Sequence, residues 1–414
     1  MLTSIWTRRQ FLSTSGMGGA AALGLGGCAA SVPVQSVVAE GGSTVRAIGQ
    51  PMPNGVELPA SPPPRPTGDS VGYAIVGLGD FALKQIMPRI GQASRSHIAA
   101  LVSGNPAKLT RVAEAYSVPE TSRYSYEDFD RIADDAGVDA VYVILPTALH
   151  PVFTERAFAA GKHVLTEKPM ALSSQDCARM IAAAERANRK LMVAYRCHFE
   201  PHNLAAMELM RDGALGELRL IRTQHAYRAG PTTPAENWRF NRAYAGGGPL
   251  EDYGIYGLQA ALYLSGEMPE TISALTLQPA GDPRFSEIFA QVSTQMRFPS
   301  GTVAQLSTSY DRNGTNTVEV RGTDGALIGN PATSYGGQEF QLLSRGEHST
   351  LSPGDPEVQF PRMLDHFAAA IRDNTTVRTP GAMGLRDARL IEAIYASAAE
   401  GRMVRLDPDG TMRS

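Results

Sequence analysis

Residues 73–82 read YAIVGLGDFA. An apolar run of this length is a buried strand, and the Gly77-Leu78-Gly79-Asp80-Phe81-Ala82 that follows is a G-x-G-x-x-A turn opening a helix. In that pattern Gly77 makes the tight turn, Gly79 lets backbone approach a pyrophosphate, and Ala82 permits close helix–strand packing. The helix N-terminus then faces the phosphates. Gly77, Gly79, Asp80, Phe81 and Ala82 are therefore candidate dinucleotide contacts.

A lone glycine turn is a weak signal, so its surroundings matter. IAALVS (98–103), DAVYVIL (139–145), HVLT (163–166) and KLMVAY (190–195) are further short apolar strands separated by helical segments. Asn105-Pro106 supplies an N-cap and first-turn pair for the helix AKLTRVAEAY. Continuous apolar strands alternating with helices imply a parallel sheet covered on both faces.

Beyond about residue 200 the period changes. In AQVSTQMRF (290–298), Ala290, Val292, Thr294, Met296 and Phe298 share one face, and Gln291, Ser293, Gln295 and Arg297 the other. Two-residue alternation describes a sheet with one apolar and one polar face. TVAQLSTSY and TVEVRG continue it, and Asp324-Gly325 reads as a hairpin turn. The apolar face should pack on helices, including LRDARLIEAIYASAAE near the C-terminus. The polar face is a candidate subunit interface, for a homodimer or homotetramer. The fold class is α/β: an N-terminal Rossmann dinucleotide-binding domain plus a C-terminal α+β domain with a large, mostly antiparallel open sheet.

The segments divide as a leader over 1–30, a Pro-rich arm over 31–70, the Rossmann domain over 71–195 and a substrate and oligomerisation domain over 196–414. Thr7-Arg8-Arg9-Gln10-Phe11-Leu12 precedes a short Gly/Ala-rich apolar stretch, a pattern that resembles a twin-arginine export signal. Export to the periplasm is the expectation. Leu25-Gly26-Gly27-Cys28 resembles a lipoprotein box, so Cys28 is either a lipid anchor or removed by a cut after Ala30 or Ala39. The stretch is too short to span a membrane.

Net charge is −3, and without residues 1–30, which hold Arg8 and Arg9 and no acid, 36 basic against 41 acidic side chains leaves −5. Mild acidity argues against nucleic acid as a partner. Three cysteines cannot build a disulfide framework.

The chemistry sits at strand ends. The strand HVLT runs into Glu167-Lys168-Pro169, and the carboxyl edge of a parallel sheet is where ligands bind. In YAGGGPLEDYGIYG (244–257), a helix starting near Leu250 would put Asp252 and Tyr256 on one face. Gly246 to Gly248 would allow backbone to approach a ligand. Lys168 should lower the pKa of Tyr256 by favouring its phenolate, making a proton-transfer pair for a carbinol, with Asp252 holding the lysine or a sugar hydroxyl. Glu167 either orients Lys168 or contacts the nicotinamide end.

The second strand ends in Ser103-Gly104-Asn105, with Lys108 one turn on. A hydroxyl, a helix N-terminus and a cation suit a 2′-phosphate, which favours NADP. Pro146, His150 and Arg196 lie just past strand ends on the same edge and join the candidate cofactor contacts. So do Trp238 and Arg239, in a Pro- and Gly-flanked segment that would cover the cofactor. His198, Glu200 and His202 look like a metal motif, but Pro201 disturbs the shared helical face. No metal is assigned, and His198 is expected to be a hydrogen-bonder in the cleft.

YAIVGLGDFAL, ALVSGNPAK, VYVILPTALH, GKHVLTEKPMA, LMVAYRCHFEP and AGGGPLEDYGIYG together resemble the glucose–fructose oxidoreductase branch of the Gfo/Idh/MocA oxidoreductases. The resemblance runs from about residue 72 to the C-terminus. It implies an NADP that stays bound while an aldose is oxidised (glucose to gluconolactone) and a second sugar reduced (fructose to sorbitol). Lys168 and Tyr256 would then handle the proton, Asp252 support them, and Ser103 and Lys108 hold the 2′-phosphate. The arm would wrap a partner subunit and cover the adenine. Asp80 stands where the resemblance implies a basic residue. Other readings on the same fold are a sugar dehydrogenase with exchangeable NAD(P), a nicotinamide-dependent glycoside hydrolase, and a non-catalytic ligand sensor. Retention of Lys168 argues against the last.

Overall fold

The computed structural model describes residues 50–66 and 68–413. The leader, Cys28 and the first part of the arm lie outside the described residues.

Six parallel strands form the first sheet, in the order β3-β2-β1-β4-β5-β6. They are β1 (Val71–Val76), β2 (Ser96–Val102), β3 (Arg123–Tyr124), β4 (Ala140–Val143), β5 (His163–Thr166) and β6 (Leu191–Val193). Every residue of β1 and β4 is buried, which the continuous apolar runs require of a sheet covered on both sides. The chain reverses direction across the sheet between β1 and β4, the switch point where such folds bind ligands. Asn105 caps the helix Pro106–Ala115 by accepting from the Lys108 backbone N–H, with Pro106 at its first position.

Nine strands form the second sheet, in the order β14-β13-β12-β11-β7-β10-β9-β8-β15. These are β7 (Leu218–Arg228), β8 (Thr271–Leu277), β9 (Gln291–Arg297), β10 (Val303–Ser309), β11 (Asp311–Gly322), β12 (Gly325–Gly329), β13 (Phe340–Ser344), β14 (Glu347–Thr350) and β15 (Val404–Arg405). Only β7 and β10 pair in parallel. Val292, Thr294 and Met296 of β9 are buried while Gln295 and Arg297 are exposed, as the alternation requires. β11 and β12 form the hairpin around Asp324-Gly325.

Two helices cover the buried face of this sheet. One, Ile255–Ser265, presses so close that a Cβ on Gly257 would stand 2.5 Å from Thr223 Oγ1, and one on the preceding Gly254 would stand 2.7 Å from Thr308 Cγ2. The other, Gly381–Glu400, bonds to β8 through Ser397 Oγ, which accepts from the Ala274 N–H at 3.1 Å.

Helix Gln359–Arg372 crosses back, and its Phe360, Met363, Leu364 and Phe367 share a core with Tyr73, Ile75, Tyr142 and Met192 of the first sheet. Tyr73 seals the junction by donating to the Leu364 carbonyl at 2.9 Å. The described part of the arm, residues 50–66, packs on that core as well. Met52, Val56 and Leu58 pack on that same core, and a Cβ on Gly91 would meet Pro63 at 2.6 Å.

Candidate active site

The glycine turn has the expected division of labour. Gly77 has φ +99°, and a Cβ there would stand 2.3 Å from the Ile144 carbonyl oxygen, so only glycine lets β1 turn beside the end of β4. No atom of the described residues lies within 4 Å of a Cβ on Gly79, leaving open space over that backbone. Ala82 is fully buried. Asp80 turns outward and pairs with Lys84 at 2.8 Å, so its charge is directed away from the turn. Phe81 packs its ring on Tyr335 and Phe360, with centroids 5.8 and 6.0 Å away.

At the end of β2, Ser103 is buried and its hydroxyl accepts from the Asn105 N–H at 3.3 Å. Lys108 is 7% exposed, and burial alone pulls its pKa down to about 8; no carboxylate of the described residues pairs with it. A partly desolvated ammonium without a counterion gains from an anion that arrives beside it. Open backbone at Gly79, the Ser103 hydroxyl and this uncompensated cation fit a phosphate-bearing dinucleotide.

The Lys168–Pro169 peptide bond is cis. Lys168 Nζ donates to the Asp252 carbonyl at 2.5 Å, lies 3.7 Å from its carboxylate, and sits 4.8 Å from the centre of the Tyr256 ring. Asp252 belongs to a π-wound turn, Leu250–Gly254, that leads into the helix carrying Tyr256; such turns recur at functional sites. The Asp252 carboxylate also accepts from the Tyr310 hydroxyl at 2.7 Å and lies 3.5 Å from Arg239 Nε. Burial works against its ionisation, but Arg239, Lys168 and Tyr310 together hold its pKa below the ordinary value. Arg239 also lies over the half-buried Trp238, 4.6 Å from its ring centre.

Tyr256 departs from the sequence expectation. Burial pushes its pKa up, and the cation that pulls it back is Arg196, not Lys168. Arg196 donates from Nε to the Tyr256 hydroxyl oxygen at 3.2 Å, whereas Lys168 faces the ring. Arg196 is 4% exposed and is spent within the protein.

Glu167 proves to be a strut. Its Oε1 accepts from the buried Tyr142 hydroxyl at 2.6 Å and its Oε2 from the Lys168 N–H at 3.2 Å. Burial raises its pKa, with Tyr142 and Lys168 opposing. His150 is 1% exposed, its Nε2 lying 2.8 Å from the Leu145 carbonyl and its Nδ1 3.0 Å from the Pro169 carbonyl. Burial lowers its pKa to about 4, so the ring is neutral and its single N–H donates to one of these two carbonyls. That burial closes His150 off from a ligand. Pro146 caps the short turn Thr147–Leu149 between these two.

Gly246 to Gly248 serve internal packing instead of a ligand. Cβ atoms there would stand 2.6 Å from Glu251 Oε1, 2.2 Å from the Tyr395 hydroxyl and 2.9 Å from Ile288. Glu200 accepts from the backbone N–H groups of His202 and Asn203, so it is a helix cap. His198 is buried and bonds Gln259 at 2.9 Å. Among the described residues no cluster of three His, Cys, Asp or Glu side chains is placed to hold a metal ion. Tyr310, Tyr335 and Gln359 complete the site unflagged; an aromatic residue inside the turn-rich NPATSYGG (330–337) was the one available hint.

A Rossmann sheet with a lysine, an aspartate and a tyrosine gathered at its carboxyl edge defines a dinucleotide-dependent oxidoreductase. Residues 71–195 match the model of the oxidoreductase family with an NAD-binding Rossmann fold, and residues 203–328 match the GFO/IDH/MocA C-terminal domain. The chain belongs to the Gfo/Idh/MocA oxidoreductase family. It is 31% identical over 338 residues to D-xylose 1-dehydrogenase (NADP(+)) 2 of Haloferax volcanii, covering 81% of this chain and 99% of the relative. The crystal structure of aldose-aldose oxidoreductase from Caulobacter crescentus, complexed with glycerol, is 48% identical with TM-score 0.79, covering 81% of this chain and all (100%) of the other. Levoglucosan dehydrogenase in complex with NADH and levoglucosan shares the fold at 22% identity and TM-score 0.71, over 81% and 99% of the two chains.

Proposed function

We propose that this chain is an exported, periplasmic sugar oxidoreductase that keeps NADP bound through a two-step cycle, oxidising an aldose to its lactone and then reducing a second sugar. The observation that carries this reading is the convergence of Lys168, Asp252 and Tyr256 at the end of β5, beside the switch point of the sheet. A bound nicotinamide would supply hydride exchange with the reacting sugar carbon. Tyr256 takes the hydroxyl proton during oxidation and returns it to a carbonyl oxygen during reduction. Lys168 orients that oxygen, and Asp252, kept anionic by Arg239, anchors the lysine. The preference for NADP is supported by the buried, unpaired Lys108 beside Ser103.

The acceptor is fructose by the resemblance described above. The 48% identity to an aldose-aldose oxidoreductase favours an aldose acceptor as a second reading. Export is supported by Thr7 to Leu12. A homodimer or homotetramer assembled through the outer face of the second sheet is supported by Leu275 and Leu277, 75% and 54% exposed there. Denaturing the purified protein and identifying the released nucleotide, then incubating the holoprotein with aldose/ketose and aldose/aldose pairs without added cofactor, tests the reading. Absence of nucleotide and of sugar turnover sinks it. Turnover only with added nucleotide leaves a dehydrogenase with an exchangeable cofactor, and release of sugar from aryl glycosides without net redox leaves a hydrolase.

A further inference from the structure

Arg196 is a buried cation with an unusual set of partners. Its Nη1 donates to the Ser334 carbonyl at 2.8 Å and to Gln359 Oε1 at 2.6 Å, and its Nη2 donates to the Thr333 carbonyl. The guanidinium is stacked between two rings, 4.5 Å from the centre of Tyr256 and 4.6 Å from that of Tyr335. All these partners are neutral, and no carboxylate of the described residues forms an ion pair with it. A buried charge satisfied only by neutral acceptors keeps most of its field available to any anion that forms beside it. The one group at its Nε that can become an anion is the Tyr256 hydroxyl.

The direction of that hydrogen bond matters. Arg196 donates, so the Tyr256 oxygen is the acceptor and its own proton is left for another oxygen. Lys168 lies over the ring and bonds the Asp252 carbonyl, placing it to serve a substrate oxygen.

We infer that Arg196 is the positioning residue that makes Tyr256 a usable base: it fixes the hydroxyl, stabilises the phenolate that takes the sugar proton, and leaves Lys168 to hold the substrate. This rests on the function proposed above. The other groups facing Tyr256 do not do this. The Glu167 carboxyl and the Cys197 thiol both oppose a phenolate, and the ring of His225, at 6.3 Å, is kept neutral by burial. Tyr253, edge-on at 6.2 Å, is uncharged. The proton balance is simple: oxidation moves one proton from the sugar hydroxyl to the Tyr256 oxygen, and reduction moves one back.

The test is a split between the two half-reactions, followed by stopped-flow absorbance of the bound nicotinamide in the holoprotein, with nucleotide content per subunit as a second readout. In Arg196→Gln, aldose oxidation near neutral pH should slow at least tenfold, because forming the phenolate costs more, and should recover as pH rises. Reduction of the acceptor, whose transition state also develops phenolate, should slow by a similar factor near neutral pH but should not recover as pH rises, and nucleotide content should not change. Arg196→Lys, which keeps the charge, should restore part of the oxidation rate. Equal slowing of both half-reactions at every pH would mark Arg196 as merely structural, and loss of nucleotide would make it a cofactor ligand; either overturns the inference. If Arg196→Gln does not fold, the split is read in Arg196→Lys and Tyr335→Leu, which weaken the clamp without burying a neutral amide. A ratio unchanged in both as pH rises sinks the idea. A wild-type protein with neither nucleotide nor sugar turnover would instead sink the functional reading itself.

Discussion

The Lys168 ammonium is held by the Asp252 carbonyl at 2.5 Å and by its carboxylate at 3.7 Å, although the two residues are 84 positions apart. The contact joins the end of a parallel strand to the first turn of a helix that packs on the other sheet. Lys168→Met removes the charge and keeps most of the stem. Sugar turnover should fall by about 10²- to 10⁴-fold, the usual weight of a positioned proton-handling group. Nucleotide released on denaturation should stay at the wild-type amount, and unchanged turnover would refute the site assignment.

The two turn glycines should fail in different ways. Gly77→Ala drives a Cβ into the Ile144 carbonyl and demands φ +99° of alanine, so it should lower the melting temperature. Gly79→Val meets no protein atom within 4 Å, so the melting temperature of the nucleotide-free protein should hold. Bound nucleotide should disappear, because the branched side chain fills the space above the turn. Thermal melts and nucleotide content separate the two.

Lys108 should decide between nucleotides. With its pKa lowered to about 8 by burial, it is charged at neutral pH and gains most from an anion. Lys108→Ala should weaken NADP about 10- to 100-fold and leave NAD nearly unchanged, roughly the worth of one charge-assisted contact. In the wild type, NADP affinity should also fall as pH rises above about 8, where the free protein loses that proton. Calorimetric titration of the nucleotide-free protein with both nucleotides checks each point.

Glu251 should make the fold less stable as pH rises. Burial lifts its pKa to about 7, while the Gly247 N–H and the Tyr395 hydroxyl, each donating at 2.7 Å, oppose the lift. The folded state therefore binds a proton more tightly than the unfolded chain. That stabilisation is complete below the unfolded pKa near 4.5 and is lost as pH climbs through about 7. Its span is on the order of 3 kcal/mol. Glu251→Gln keeps the shape of the neutral acid, so its melting temperature should exceed the wild type's near pH 8 and converge on it near pH 5. Parallel curves would refute the assignment.

Much of the site was legible because its signals are local. A glycine needing positive φ, a proline after an asparagine cap, and a strand ending in Glu167-Lys168-Pro169 are all written within a few residues. The placement of Asp252 and Tyr256 on one helical face follows from helix period. What misled was any feature whose partner is distant in sequence. Gly246 to Gly248 read as a ligand cradle, yet Tyr395, far down the chain, fills the space.

By itself the sequence determined the strand–glycine turn–helix start, the parallel and antiparallel halves, and the identity of the reactive side chains. Backbone conformation and side-chain periodicity are set by neighbours along the chain, so these could be read directly. Tertiary structure alone decided which cation meets which oxygen. Arg196 reaches the Tyr256 oxygen from 60 residues away, while Lys168, the expected partner, lies against the ring. Electrostatic coupling depends on distance and burial, and both are products of how the two sheets and the returning helix Gln359–Arg372 pack together.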